Sequence, residues 1–259
     1  MWSVFKKPAE AFFRVLRYYP TTLNGLRFKC DPDHVSFWRL ASRNGWEPHS
    51  LQILSQFLKK DSVFADIGTW IGPTSIYAAK HCGTVYSFEP DWVAYKYLLW
   101  NIELNKLHNV VPFNIALAEE EKLQWMSCFY DGSRGNSTTS LLRTPKPGEG
   151  VNALCMRWQT WLDICKPPRI DMMKIDIEGG EFVLLPMLRD YFASHKPVVY
   201  LSTHAPYLDK DRRKKEMAQL RDIMSLYRQC LGEDLKPVRL DDLTGDEALN
   251  SFRSYVFVD

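Results

Sequence analysis

The sequence predicts an α/β fold with a mostly parallel sheet and helices on both faces. Short apolar runs alternate with amphipathic helical segments along most of the chain, which is the pattern of parallel strands joined by crossover helices. A glycine-containing turn joins the first strong strand to the next helix, and acids end the first two strands. The 259 residues are 46% hydrophobic and 14% aromatic, which is enough to fill the core of one large domain.

The elements follow from the periodicity of the apolar residues and from the proline and glycine positions. Residues 1–45 are predicted to form a helical extension packed on the core, and residues 46–259 the main domain. Strands are predicted over 62–66, 84–89, 109–115, 123–129, 153–158, 170–177, 198–203, 238–240 and 255–258. Helices are predicted over 1–20, 49–60, 74–81, 91–107, 159–165, 182–191 and 209–231. Residues 131–150 form the one long irregular stretch, which is typical of a functional lid.

Charge and cysteine usage bear on the partners and the compartment. The net charge of +2 gives no electrostatic argument for nucleic acid, so we expect none as a partner. Six scattered cysteines without a C-x-x-C pair suit a reducing compartment. Because no apolar run predicts a signal peptide or a membrane span, we expect a cytoplasmic protein. The apolar face of Trp2, Phe5 and Phe12 beside cations allows weak peripheral membrane contact. The sequence leaves the oligomeric state open.

The stretch V-F-A-D-I-G-T-W-I-G-P, which begins at Val63, predicts a cofactor site. Asp66 ends a strand, and the turn that follows opens a helix whose free N–H groups face a ligand. The pattern D-x-G-x-x-x-G lacks the middle glycine that a dinucleotide's pyrophosphate needs, which favours S-adenosylmethionine. Asp66 suits the ammonium end of that cofactor. The candidate cofactor residues of this turn are Asp66, Gly68, Thr69, Trp70 and Gly72.

Three further candidates for cofactor binding follow the next two strands. Glu89 ends the second strand, where a carboxylate can accept hydrogen bonds from both ribose hydroxyls. Asn114 and Ala116 follow the third strand, at the edge that reaches the adenine in this topology. An ordinary turn that ends the strand is an equally good interpretation of Asn114.

A second group of polar residues follows the central strands. Lys174 and Asp176 share one face of a strand and are expected to pair, either as a structural ion pair or as part of the catalytic group. Glu178, in the turn that follows, could contact the acceptor or the ammonium group of the cofactor. His204 lies just past the next strand and is the candidate general base. Asp176, Glu178 and His204 could instead bind a divalent metal, but metal-free catalysis ranks first and no metal is predicted.

An ordered series of motifs resembles the FkbM-type family of S-adenosylmethionine-dependent methyltransferases. The series is A-D-I-G-T-W-I-G at 65–72, F-E-P at 88–90, N-I-E-L-N at 101–105, N-I-A-L at 114–117, T-W-L-D at 160–163 and D-M-M-K-I-D-I-E-G-G-E at 171–181. The resemblance implies a Rossmann-like class I methyltransferase fold with seven strands, the last of them antiparallel. It also implies methyl transfer to a hydroxyl oxygen of a sugar, glycan or natural-product-like small molecule.

The chain departs from the family pattern at two positions, and two other functions stay open. Trp70 stands where the family usually has a small polar Asn, and the acid that the family shows shortly before the histidine is missing from S-T-H-A-P-Y. One alternative is an NAD-type oxidoreductase, against which the absent middle glycine argues. The other is a degenerate, non-catalytic methyltransferase fold that acts as a binding module.

Overall fold

The structure, a computed structural model, describes residues 6–259, so Trp2 and Phe5 lie outside it. In chain order the strands are β1 (Tyr19–Leu23), β2 (Leu26–Cys30), β3 (Val63–Ile67), β4 (Thr84–Phe88), β5 (Val110–Phe113), β6 (Ala116–Leu117), β7 (Lys122–Cys128), β8 (Thr139–Ser140), β9 (Val151–Met156), β10 (Met172–Ile175), β11 (Val198–Thr203), β12 (Gln229–Gly232) and β13 (Arg253–Val258). The α-helices are α1 (Lys6–Leu16), α2 (Val35–Ala41), α3 (Pro48–Phe57), α4 (Pro73–Ala78), α5 (Trp92–Leu104), α6 (Trp158–Cys165), α7 (Glu181–His195), α8 (Lys210–Met224) and α9 (Asp246–Asn250).

The main sheet contains seven strands in the spatial order β12–β13–β11–β10–β3–β4–β5. Neighbours from β11 to β5 pair in parallel. The last strand, β13, runs antiparallel to both of its neighbours. The α/β class and the antiparallel last strand are therefore confirmed, in a sheet of mixed orientation.

The core lies on both faces of this sheet because successive side chains of a strand point to opposite sides. In β3, Ala65 and Ile67 belong to one buried cluster, whereas Phe64 belongs to the other. Leu188 of α7 packs in the first cluster and Ile76 of α4 in the second. Burying a side chain of this size stabilises the fold by about 1.5–3 kcal/mol. The two apolar layers thus fix β3 and β10 in the middle of the sheet, where their carboxyl ends meet.

The N-terminal extension predicted as helical over 1–45 also contains a pair of strands. Between α1 and α2, the strands β1 and β2 form an antiparallel hairpin. Asn24 and Gly25 at the tip both have positive φ, of 41° and 84°. An Asn-Gly pair between two short strands is the usual two-residue hairpin turn, and this signal was overlooked in the sequence.

The C-terminal part also differs from the prediction. α8 ends at Met224 rather than near Leu231, and β12 supplies the strand expected over 238–240. The apolar spacing that buries Leu220 and Met224 continues through Tyr227, so periodicity alone did not mark the end of the helix.

A small second sheet, in the order β6–β9–β7–β8, was not predicted as a unit, although strands near β7 and β9 were. Among residues 6–259 no helix is both long and apolar enough to cross a membrane.

Candidate active site

The turn between β3 and α4 depends on its glycines. Gly68 and Gly72 have φ of 85° and 91°, and Trp70 between them also has a positive φ of 51°. A Cβ at Gly68 would lie 1.9 Å from the carbonyl oxygen of Asp176. Only glycine therefore lets the turn lie against the residue that follows β10.

Asp66 stabilises this turn from behind and does not face a cavity. Its side chain is fully buried, and Oδ2 accepts hydrogen bonds from the hydroxyls of Thr74 at 2.7 Å and Ser75 at 2.6 Å. Burial raises the pKa of this carboxyl above its ordinary value. Asp66 lines neither of the cavities described below, so the expected contact with a cofactor's ammonium group is not seen.

Glu89 lies beside the turn, as predicted. Its Oε2 accepts a hydrogen bond from the backbone N–H of Trp70 at 2.7 Å, and its Oε1 accepts one from Asp91 at 2.8 Å. Burial raises the pKa of Glu89 to about 8. The carboxylate is thus held in a fixed orientation and retains free lone pairs toward the cavity that it lines.

A small, largely apolar cavity lies next to Glu89. Its volume is about 50 Å³, room for a few water molecules. Its walls include Phe88, Glu89, Ile115, Ala116, Leu117, Met126, Leu141 and Ile177. Of the predicted cofactor residues, five line this cavity, namely Gly68, Trp70, Glu89, Ala116 and Glu178. Asn114 is exposed and lies outside the cavity. Its side-chain amide donates to the carbonyls of Glu89 and Pro90 at 2.8 and 3.1 Å, which agrees with the interpretation of Asn114 as part of an ordinary turn that ends the strand. Gly72 also lies outside, at the start of α4.

Residues 131–150 cover this cavity and are bound to the turn through Trp70. The indole N–H of Trp70 donates to the carbonyl of Gly135 at 2.8 Å, and the N–H of Gly135 donates to Oδ2 of Asp91 at 2.6 Å. Arg134 and Arg143 donate hydrogen bonds to backbone carbonyls within or beside the segment. Trp70 is therefore both a wall of the site and the attachment point of its cover.

A larger cavity of about 610 Å³ opens on the other side of the turn. Aromatic and acidic side chains are prominent in its lining, namely Trp46, Tyr130, Tyr207, Phe252, Glu47, Asp176, Glu178 and Glu233. Thr69 also lines it, with a buried hydroxyl that has no partner in the described residues. The two cavities share five wall residues, which are Gly68, Trp70, Ser137, Asp176 and Glu178.

Lys174 and Asp176 form the predicted ion pair. Nζ of Lys174 lies 2.8 Å from Oδ2 of Asp176, and Lys174 is only 3% exposed. Burial alone would lower the pKa of Lys174, but the carboxylates of Asp176, Asp66 and Glu47 outweigh it and raise that pKa. Lys174 therefore stays charged, which suits an electrostatic role and excludes it as a base.

His204 lies among three carboxylates at the same end. Oε1 of Glu181 accepts a hydrogen bond from the backbone N–H of His204 at 2.7 Å and lies 3.2 Å from Nδ1. Nε2 lies 3.5 Å from Oδ1 of Asp176 and 3.4 Å from Oε2 of Glu178. Burial lowers the pKa of His204, but the three carboxylates raise it to about 9. The carboxylates around His204 therefore favour its protonated form, which cannot accept a proton, and the role of His204 as a base stays a prediction.

Some residues of the site were missed in the sequence. Glu181, at the start of α7, lies beside His204, with its Oε1 3.2 Å from Nδ1. Tyr200 lines the larger cavity and pairs in register with Lys174, so strand pairing could have revealed it. Trp46 and Glu47 carry no comparable signal, because they reach the cavity from a loop before α3.

Comparison with known proteins identifies the family. Residues 62–231 match the family model described as the methyltransferase FkbM domain. The chain belongs to this family, and the predicted cofactor, S-adenosylmethionine, is confirmed with it.

Several individual proteins are similar to the chain. It is 37% identical over 90 residues to a tRNA (guanine(37)-N(1))-methyltransferase Trm5b from Pyrococcus abyssi, a match that covers 34% of this chain and 25% of that protein. An FkbM methyltransferase structure from Methylobacillus flagellatus has a TM-score of 0.42 at 14% identity, covering 72% of this chain and 54% of that one. A TYW2 structure from M. jannaschii in complex with AdoMet has a TM-score of 0.41 at 16% identity, covering 93% and 84%.

The match to the Pyrococcus protein corrects the prediction about partners. The family resemblance implied a small-molecule or glycan acceptor, and the near-neutral charge gave no argument for nucleic acid as a partner. That expectation is contradicted by a relative whose name specifies a tRNA methyltransferase. Net charge describes the whole surface, and a near-neutral value does not exclude nucleic acid as a partner.

Proposed function

We propose that the protein transfers the methyl group of S-adenosylmethionine to an acceptor bound in the larger cavity. One observation carries this proposal: the cavity beside Glu89 and the acid-lined cavity share a wall at Gly68, Asp176 and Glu178. A cofactor with its adenosine beside Glu89 would have its sulfonium near this wall, in line with an acceptor on the other side. Alignment of this kind, with water kept out, is the main catalytic contribution that methyl transfer needs.

Five residues are proposed to contact the cofactor directly, namely Gly68, Thr69, Trp70, Glu89 and Ala116. Glu89 would accept hydrogen bonds from the ribose hydroxyls, and the apolar wall with Ala116 would enclose the adenine. The unpartnered hydroxyl of Thr69 suits a polar group of the cofactor. Asp66, Gly72 and Asn114 are proposed to act indirectly, by fixing the turn and the ends of the strands.

The acceptor is proposed to bind against Asp176, Glu178 and His204, with Lys174 holding Asp176 in place. These side chains line the larger cavity next to the shared wall. An acceptor that carries a proton, such as a hydroxyl or an N–H group, could donate a hydrogen bond to either carboxylate. The family resemblance favours oxygen as the atom that is methylated.

A second candidate is methylation of a nucleic-acid base. The similarity to a tRNA methyltransferase favours it, and exposed aromatic side chains at the larger cavity, such as Tyr130 and Phe252, offer faces on which a base can stack. In this case the accepting atom would be a ring nitrogen rather than a hydroxyl oxygen.

The cofactor site can be tested by calorimetric titration with S-adenosylmethionine. At a pH above the pKa of Glu89, which is about 8, we expect Glu89→Gln to weaken binding by roughly 10–100-fold, because hydrogen bonds to a charged acceptor contribute about 1.5–3 kcal/mol. Glu233→Gln is the matched control, since Glu233 lines the larger cavity and not the cavity beside Glu89. Equal affinity in wild type and Glu89→Gln would refute the site.

The acceptor can be identified with the radiolabelled cofactor. Incubation with tRNA transcripts and, separately, with a panel of hydroxyl compounds, followed by mass spectrometry of the labelled product, separates O-methylation from base methylation. Label confined to a base nitrogen would exclude the first candidate. Label confined to hydroxyl oxygens would exclude the second.

A further inference from the structure

We propose that Asp176, Glu178 and His204 form a binding site for a divalent transition-metal ion at the acceptor end of the larger cavity. Asp176 directly follows β10, Glu178 lies in the turn between β10 and α7, and His204 directly follows β11. Each side chain offers a ligand atom within 4.8 Å of the other two. The binding of the ion is inferred from this geometry alone. Its role toward the acceptor rests on the proposed methyl transfer.

The distances around His204 fit an ion better than direct hydrogen bonds. Nε2 lies 3.5 Å from the Asp176 carboxylate and 3.4 Å from the Glu178 carboxylate, both longer than an ordinary N–H···O bond. Two ligand atoms that each lie about 2.1 Å from a zinc-sized ion at the tetrahedral angle are about 3.4 Å apart. The two separations from Nε2 thus match those of ligands around a central ion, and all three ligand atoms lie within 4.8 Å of one another.

The neighbours of the three residues hold the ligand atoms in place. The His204 side chain is 9% exposed, and Glu181, which is fully buried, engages its Nδ1 at 3.2 Å. Nε2 makes no hydrogen bond of normal length among the described residues and is directed toward the two carboxylates. A carboxylate behind a histidine ligand is the usual support of a metal-bound imidazole. Lys174 binds Oδ2 of Asp176, which leaves Oδ1 facing His204.

The carboxyl groups around the site also suit a cation. Asp66, Glu47 and Asp176 surround Lys174, and Asp176, Glu178 and Glu181 surround His204. Burial raises the pKa of Asp66, Glu47 and Glu178, and an ion bound to Glu178 would favour the ionised form of that carboxyl. Imidazole with carboxylates suits Mn²⁺, Co²⁺ or Zn²⁺ better than Ca²⁺ or Mg²⁺, which prefer oxygen ligands alone.

Three protein ligands leave coordination positions for the acceptor. An acceptor oxygen bound to the ion loses its proton to water more readily. Its electron pair then forms the bond to the methyl carbon, and the carbon–sulfur bond breaks with its pair remaining on sulfur. The ion would thus do what the sequence assigned to His204 as a base.

The test is a titration of the chelator-treated full chain with Mn²⁺, in which binding is measured as the loss of the electron paramagnetic resonance signal of the free ion. Zn²⁺ is then added to compete for the same site. We expect one saturable site and a loss of affinity of about tenfold or more in Glu178→Gln. Glu233→Gln should bind as wild type does, since Glu233 lines the same cavity outside the three ligands. Asp176→Asn is a second variant, but it also breaks the pair with buried Lys174.

Two results would overturn the proposal: no saturable binding up to about 1 mM Mn²⁺, or equal affinity in wild type and Glu178→Gln. Calorimetry with S-adenosylmethionine on the metal-free protein is run in parallel. If the metal-free protein does not bind S-adenosylmethionine while the Mn²⁺ titration shows one saturable site, the proposed function is refuted and the metal site is retained.

Discussion

Replacement of Gly68 by alanine should destabilise the protein far more than the same replacement at Gly148. Both glycines have φ of +85°, so both substitutions carry the same backbone cost of about 1–2 kcal/mol. A Cβ at Gly148 meets nothing within 4 Å, whereas a Cβ at Gly68 lies 1.9 Å from the carbonyl oxygen of Asp176 and 2.9 Å from the side chain of Ile177. Overlap of this kind in a packed interior adds about 1–3 kcal/mol.

We therefore expect Gly68→Ala to lower the free energy of unfolding by about 2–5 kcal/mol and Gly148→Ala by about 1–2 kcal/mol. Urea unfolding followed by circular dichroism measures both values. Relief of the overlap requires the turn or the Asp176 backbone to move, so Gly68→Ala should also weaken S-adenosylmethionine binding, whereas Gly148→Ala should not. Unfolding free energies that agree within about 0.5 kcal/mol would refute the reasoning.

Three other outcomes are expected. Trp70→Phe removes the hydrogen bond from the indole N–H to Gly135, which costs about 1 kcal/mol, so the amide hydrogen exchange of residues 133–141 should be about fivefold faster. Trp125→Phe changes an exposed ring and should leave the exchange rates of these residues unchanged. Because the pKa of Glu89 is about 8, S-adenosylmethionine affinity should increase as the pH rises toward 8 and the carboxyl ionises. Calorimetry should show that this increase is smaller in Glu89→Gln, and identical profiles would contradict the assignment. Cys82, whose thiol pKa is raised to about 12 by burial, should resist iodoacetamide at pH 8 until the protein is unfolded, and labelling of the native protein would contradict this.

The central strands and the cofactor turn could be predicted because their signals are local. The apolar run of β3, the glycines after it and the acid at Glu89 lie within one short stretch of sequence. The hairpin at Asn24 and Gly25 was equally local and was overlooked. Residue identity and spacing were sufficient for these elements.

The roles of individual acids could not be predicted, because they depend on which side chain a neighbouring element supplies. Asp66 has the position of a ligand-binding acid, but its side chain is fully buried and its Oδ2 accepts hydrogen bonds from the hydroxyls of Thr74 and Ser75. His204 has the position of a base, but Glu181 from the start of α7 and the two carboxylates near Nε2 keep it charged. Such contacts arise only when separate helices and strands pack together.

The contact between Trp70 and Gly135 bears on which step would limit the rate of turnover. The cavity beside Glu89 has a volume of only about 50 Å³ while this contact is made, so on the proposed function a purine could neither enter nor leave without breaking it. Each cycle of the proposed methyl transfer would then include one detachment of residues 131–150, and this step would set an upper limit on turnover however fast the methyl group moves. A burst of product in the first turnover, followed by a slower steady rate, is the kinetic pattern that this limit produces.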